Sequence, residues 1–117
     1  MSNKRATRVA SLLHEVLSEI LSNQLKDPAV GPVIISRVSV TADLKIARVF
    51  FHHLGREHDP KATSAGLLRA SGFMRTELAK RVDLRTVPRL EFIYDDSLDR
   101  AERIEELLRQ ANEDQDD

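Results

Sequence analysis

The chain contains no cysteine and no tryptophan, and aromatic residues make up only 4% of its 117 positions. Without cysteine there is neither a disulfide framework nor a thiolate metal site. With so few rings, a sheet that stacks several bases in the manner of an RRM is not expected. No apolar run approaches the roughly 20 residues of a membrane-spanning helix. The N-terminus lacks the apolar core of a signal peptide, so a cytoplasmic protein without a membrane partner is expected. No glycine-rich phosphate loop is present. The four histidines do not assemble a catalytic or metal-binding pattern. His14 has no evident Ser or Cys partner, and His52 and His53 are neighbours on a strand and face opposite ways. A site built from His53, His58 and Asp59 is not expected. Asp95, Asp96 and Asp99 read better as helix-capping acids than as magnesium ligands. These absences exclude an enzyme, a cofactor, a metal and a small-molecule substrate from the expected function.

What the chain does have is segregated charge. The formal net charge of −1 is a near-cancellation. Residues 1–90 carry 15 Lys+Arg against 8 Asp+Glu, a net of +7, whereas residues 91–117 carry 3 against 11, a net of −8. A basic body with an acidic end suits a surface that meets phosphate, with the acids held away from it.

Hydrophobic periodicity defines the elements. Val9, Leu12, Leu13, Val16, Leu17, Ile20, Leu21 and Leu25 recur at helical spacing, and Asp27-Pro28 and Gly31-Pro32 stop that helix. The β-branched stretch Val33 to Thr41 is expected as a strand with Ile34, Ser36, Val38 and Val40 on one face. After the turn Thr41-Ala42-Asp43-Leu44, Lys45 to Leu54 returns with Ala47, Val49 and Phe51 towards the core, making an antiparallel hairpin. Asp59-Pro60 opens a second helical region ending near Val82. Arg85 to Pro88 forms a loop, and Leu90, Phe92 and Tyr94 alternate as a third strand. Asp95, Asp96 and Ser97 cap a last helix with an apolar face of Leu98, Ala101, Ile104, Leu107, Leu108 and Ala111. A single domain over 1–112 with a frayed acidic tail over 113–117 is the expected organisation.

Within the second helical region, Leu67, Ser71, Met74, Leu78 and Val82 form a core stripe, and Arg69, Phe73, Thr76 and Lys80 lie on another side. Phe73, as an aromatic at a bend, is expected in the core, the alternative being that it stacks on a base. Gly72 costs a helix interior about 1 kcal/mol relative to alanine. A kink at Ala70-Ser71-Gly72 would free backbone N–H groups beside arginines, an arrangement suited to an anionic polymer. The element order is then α-β-β-α-(kink)-α-β-α, an α+β fold with a three-stranded sheet covered by helices on one face. That is the order of a type II KH-like domain with an added C-terminal helix, an RNA-binding architecture.

The candidate RNA-binding residues follow from charge and position. Arg69, Arg75, Lys80, Arg81, Arg85 and Arg89 form the main group, because guanidinium forks match phosphate geometry. Lys4, Arg5 and Arg8 oppose the dipole of the first helix, a cost that a bound phosphate would offset. Arg37, Lys45 and Arg48 extend the basic surface along the hairpin. The rival class is a protein-interaction adaptor whose basic face is incidental.

Four stretches in register carry a resemblance to a known family: Asp27-Pro28, Val38-Ser39-Val40-Thr41-Ala42-Asp43-Leu44-Lys45-Ile46-Ala47-Arg48-Val49, Leu67 to Arg75, and Leu84-Arg85-Thr86-Val87-Pro88-Arg89-Leu90-Glu91-Phe92 leading into Asp95-Asp96-Ser97. Over residues 5–110 the chain resembles the ribosome-binding factor A family of bacterial assembly factors. The resemblance implies an Ala-x-Gly kink, here Ala70-Ser71-Gly72, in place of the Gly-x-x-Gly loop of KH domains. It also implies binding to the free 30S subunit and its 16S rRNA during late maturation and pre-rRNA processing, with a role in growth at low temperature. A monomer acting by binding rather than catalysis is the corresponding expectation.

Overall fold

In the computed structural model, residues 3–23, 32–53 and 59–115 are described, and they form three helices and a three-stranded sheet. The order is α1 (Lys4–Asn23), β1 (Val33–Val40), β2 (Ile46–His53), α2 (Pro60–Arg81), β3 (Arg89–Tyr94) and α3 (Ser97–Gln115). Leu25, Asp27-Pro28, Gly31, Leu54 and His58 lie outside the described residues.

Strand β2 is central, antiparallel to β1 and parallel to β3. Its Ala47, Val49 and Phe51 are fully buried and face Leu13, Leu17 and Ile20 of α1 and Leu67, Met74 and Leu78 of α2, all equally buried. The period of 3.6 in each helix and of 2 in the strand place these side chains in one layer. Phe51 also meets the Tyr94 ring edge-on at 5.7 Å. Helices α1 and α2 thus cover one face of the sheet, as the sequence leads one to expect.

Four details differ from the expectation. First, β1 contains a bulge between Ile35 and Arg37. Ile35 is buried opposite Phe51, Ile34 is on the open face, and Ser36 is the extra residue, so the expected face of Ile34, Ser36, Val38 and Val40 holds only for its last two members. A bulge shifts the period-2 alternation by one residue, which periodicity alone does not reveal. Polar bonds hold the bulge. His14 Nε2 lies 2.9 Å from the Ile35 carbonyl, and Ser36 Oγ donates to Asp95 Oδ2 at 2.7 Å.

Second, α2 is one helix across Ala70-Ser71-Gly72, and the two segments expected on either side are joined. Burial of Thr63, Gly66, Leu67, Met74 and Leu78 along its length outweighs the roughly 1 kcal/mol cost of a glycine. The hydroxyls of Ser71 and Thr76 bond back to the carbonyls of Leu68 and Gly72, which keeps the local polar groups within the helix. Third, Leu12 is 38% exposed, at the edge rather than the centre of the α1 stripe.

Fourth, the apolar face of α3 is not buried: Leu98, Ile104, Leu107 and Leu108 are each more than half exposed. The helix is sustained locally instead. Asp95 Oδ1 accepts from the Ser97 N–H at its start, and Asp96–Arg100 and Glu106–Arg109 pair along its surface. It continues through Gln115, so Glu113 and Asp114 of the expected tail are helical.

Phe51→Ala should cost about 3–5 kcal/mol, read as a lower denaturant midpoint. Asp95, bonded to Ser36 and Ser97, has its carboxyl pKa lowered from 3.8 to about 2. A depressed folded-state pKa contributes stability above the unfolded value and loses it as pH falls towards the folded one. The stability advantage of wild type over Asp95→Asn should therefore shrink between pH 4 and pH 2, measured by denaturation at a series of pH values.

Candidate nucleic-acid interface

Four elements meet at one end of the sheet and enclose a cleft of about 520 Å3. Arg5 comes from the first turn of α1, Lys45 from the end of the hairpin turn, Arg75 from α2, and Arg85 and Arg89 from the loop into β3. These five cations are separated by up to 84 residues in sequence. Asp43 is the acidic lining residue.

Each wall has a local cause. The Arg89 N–H donates to the Lys45 carbonyl at 2.8 Å, starting the parallel β2–β3 pairing and drawing the loop against the turn. Arg75 Nη2 donates to the Val87 carbonyl at 3.0 Å, bracing that loop on α2. In the turn, the Leu44 N–H donates to the Thr41 carbonyl at 2.8 Å. Leu44 has φ 62°, in the left-handed region where a residue with a side chain pays roughly 1–2 kcal/mol. Asp43 Oδ1 accepts from the Thr41 hydroxyl at 2.7 Å and the Lys45 N–H at 3.1 Å, and these bonds hold its carboxyl below the usual range.

The remaining expected residues divide into three groups. Lys4 and Arg8 are exposed on α1, whose first turn carries no acid to relieve the dipole. Arg37 and Arg48 lie on the open face of the sheet, Arg37 over the Phe50 ring at 4.1 Å and Arg48 beside Glu91 at 3.5 Å. Arg89 also approaches Glu91, at 3.8 Å, linking this face to the cleft. Lys80 and Arg81 are engaged within the protein: Lys80 pairs with Glu77 at 3.3 Å, and Arg81 reaches both Glu77 and Glu19, tying α2 to α1. They belong to helix packing as much as to a binding surface. Arg69 is exposed on α2.

Phe73 is 44% exposed, not in the core as expected, because Met74 and not Phe73 faces the sheet. Gly72 is exposed as well, and a Cβ added there would meet nothing within 4 Å. Within the continuous helix α2, Ala70 is half-buried against the core, Ser71 is half-buried, and Gly72 alone of the three is on the outside. It is joined to the cleft by a second, shallower depression lined by Gly72, Arg75, Thr76, Arg85 and Val87. The cleft residues that pattern reading missed are Ala42, Asp43, Leu44, Leu84, Thr86 and Val87. Only their proximity to Arg85 and Lys45 in sequence could have suggested them.

Among the described residues, no group of three or more His, Cys, Asp or Glu side chains could hold a metal ion. Asp95 and Asp99 are occupied otherwise. Asp95 accepts from Ser36 and Ser97, and Asp99 accepts from Tyr94, whose hydroxyl pKa is pushed up to about 12 by that bond. No described helix is long and apolar enough to cross a membrane.

Fold and cleft define a small α+β domain of KH-like element order with a cationic cleft at one end of the sheet. The ribosome-binding factor A family matches residues 5–108, and the chain belongs to it. It is 42% identical over 110 residues to the ribosome-binding factor A of Macrococcus caseolyticus, covering 94% of this chain and 96% of that one. It is 43% identical over 114 residues to that of Syntrophobacter fumaroxidans, covering 96% and 97%. The crystal structure of ribosome-binding factor A from Thermus thermophilus superposes with a TM-score of 0.68 at 26% identity, over 76% of this chain and 93% of that one. The solution NMR structure of a Thermotoga maritima protein gives 0.70 at 33%, over 83% and 92%. A Thermus thermophilus ribosome-binding factor A fitted into a map of a 30S complex gives 0.62 at 25%, over 74% and 91%.

Gly72→Ala should raise stability by about 1 kcal/mol, since the site is helical, exposed and sterically open. Thermal unfolding checks this, and an upward shift in Tm is expected.

Proposed function

We propose that this protein is a ribosome-assembly factor that binds the free 30S subunit through its 16S rRNA during late maturation and pre-rRNA processing. It acts in the cytoplasm as a monomer and works by binding energy alone, without catalysis. The carrying observation is the convergence of Arg5, Lys45, Arg75, Arg85 and Arg89 on one cleft. Cations drawn together from four elements repel one another, and Arg5 also opposes the dipole of its own helix. A polyanion offsets both costs. The 30S complex of the Thermus thermophilus relative supports the same partner.

The physical mechanism follows from selective binding. A protein that binds one conformation of an RNA shifts the population towards it by its differential affinity. It leaves when the mature particle no longer presents that conformation. The acidic α3 and the residues after it stand against non-specific adsorption through like-charge repulsion.

Co-sedimentation with separated 30S and 50S subunits tests this. Pelleting should be selective for 30S, and its affinity should fall by about 10²–10³-fold between 50 and 200 mM salt for five phosphate contacts. The variant with Arg5, Lys45, Arg85 and Arg89 changed to glutamate should lose pelleting while keeping its unfolding midpoint near wild type. Pelleting with neither subunit would redirect the function to a protein partner.

A further inference from the structure

The cleft has a floor as well as a rim. Leu44, Leu84 and Val87 lie at its base, each half-buried and packed against the core. Arg5, Lys45, Arg85 and Arg89 stand around the opening. A duplex would meet such a rim with its backbone and make no use of an apolar floor. A half-open cleft of about 520 Å3, apolar at the bottom with a few convergent polar groups, has the form of a site for a small flat group. In RNA that group is an unpaired base, whose apolar faces become available only when it leaves the stack.

Two further observations agree. Leu44 keeps a side chain at a left-handed backbone position that glycine would occupy without strain, and that side chain forms part of the floor. Asp43 sits in the same cleft, where a carboxylate would repel a phosphate. Its hydrogen bonds to the Thr41 hydroxyl and the Lys45 N–H both use Oδ1. An ionised carboxylate oxygen beside a nucleotide is an acceptor only, and the 2′-hydroxyl is the donor that ribose has and deoxyribose lacks.

We propose that the cleft takes one unpaired ribonucleotide. Its base lies on Leu44, Leu84 and Val87, its flanking phosphates meet Arg5, Arg85 and Arg89, and its 2′-hydroxyl donates to Asp43 Oδ2. This rests on the RNA-binding reading above and narrows it from a charged surface to a pocket for single-stranded RNA.

Fluorescence anisotropy with labelled oligo(U) and oligo(A) pentaribonucleotides, their DNA counterparts and a 12-base-pair RNA duplex tests it. Charge attraction alone favours the duplex, which carries more phosphates. The pocket predicts the reverse, with at least one pentaribonucleotide bound ten or more times more tightly than the duplex and more tightly than its DNA counterpart. Asp43→Asn retains an oxygen for the Thr41 and Lys45 bonds and places an amide where the acceptor was, so it should abolish the RNA-over-DNA preference. Arg5→Glu with Arg85→Glu should weaken the pentamer at least tenfold, whereas Lys61→Glu, at the far end of α2, should change it less than twofold. In the unaltered protein, a central 4-thiouridine should crosslink to residues 42–45 or 84–87. Duplex binding as tight as the pentamer, no pentamer binding at millimolar concentration, or crosslinks confined to other surfaces would overturn the pocket. Pelleting with 30S is measured in parallel: if it persists in those cases the ribosome-binding function stands, and if it is absent the function itself fails.

Discussion

The burial of one strand organises this protein. Ala47, Val49 and Phe51 of β2 are wholly removed from solvent between β1 and β3 and beneath two helices. A strand with neighbours on both sides satisfies its backbone groups within the sheet, and its inward side chains fix where α1 and α2 can sit. With those helices seated, the first turn of α1, the hairpin turn and the loop into β3 arrive at the same end of the sheet. The cleft is thus a consequence of core packing, and its cations are held close by apolar burial elsewhere.

Several local features run against stability, and they gather there. Leu44 sits in a left-handed conformation, Arg5 opposes a helix dipole, and like charges face one another around the opening. Gly72 occupies an exposed position in the adjoining helix where alanine would fit. Each costs of the order of 1 kcal/mol. Departures from local consistency of this kind mark functional surfaces, because a rule broken without structural gain needs a gain of another sort. Under the proposed function, an anionic partner supplies it for the cations.

The open face of the sheet and the third helix form a contrast. Arg37 over Phe50 and Arg48 beside Glu91 are compensated within the protein. Helix α3 is held by its cap and by pairs along its own surface rather than by packing. Its stability is therefore local, whereas that of β2 is shared with every element that covers it.

Much of the molecule was legible in the order of its residues. The stripes of α1 and α2, the alternation in β2 and the Asp-Pro helix start are short-range patterns imposed by helix and strand geometry, and they predict the elements and the α+β class. The charge split between residues 1–90 and 91–117 points to phosphate, and the runs in register point to the family. Three things needed the tertiary structure. The bulge at Ser36 depends on bonds to His14 and Asp95, which lie 22 residues before and 59 residues after it. The continuity of α2 through Gly72 depends on burial along its other face, which local propensity does not contain. The grouping of Arg5, Lys45, Arg75, Arg85 and Arg89, with Lys80 and Arg81 set apart in contacts to acids, depends on which helix ends meet across the sheet. Periodicity reports which side of an element is apolar; only the packing of one element on another decides which charges become neighbours.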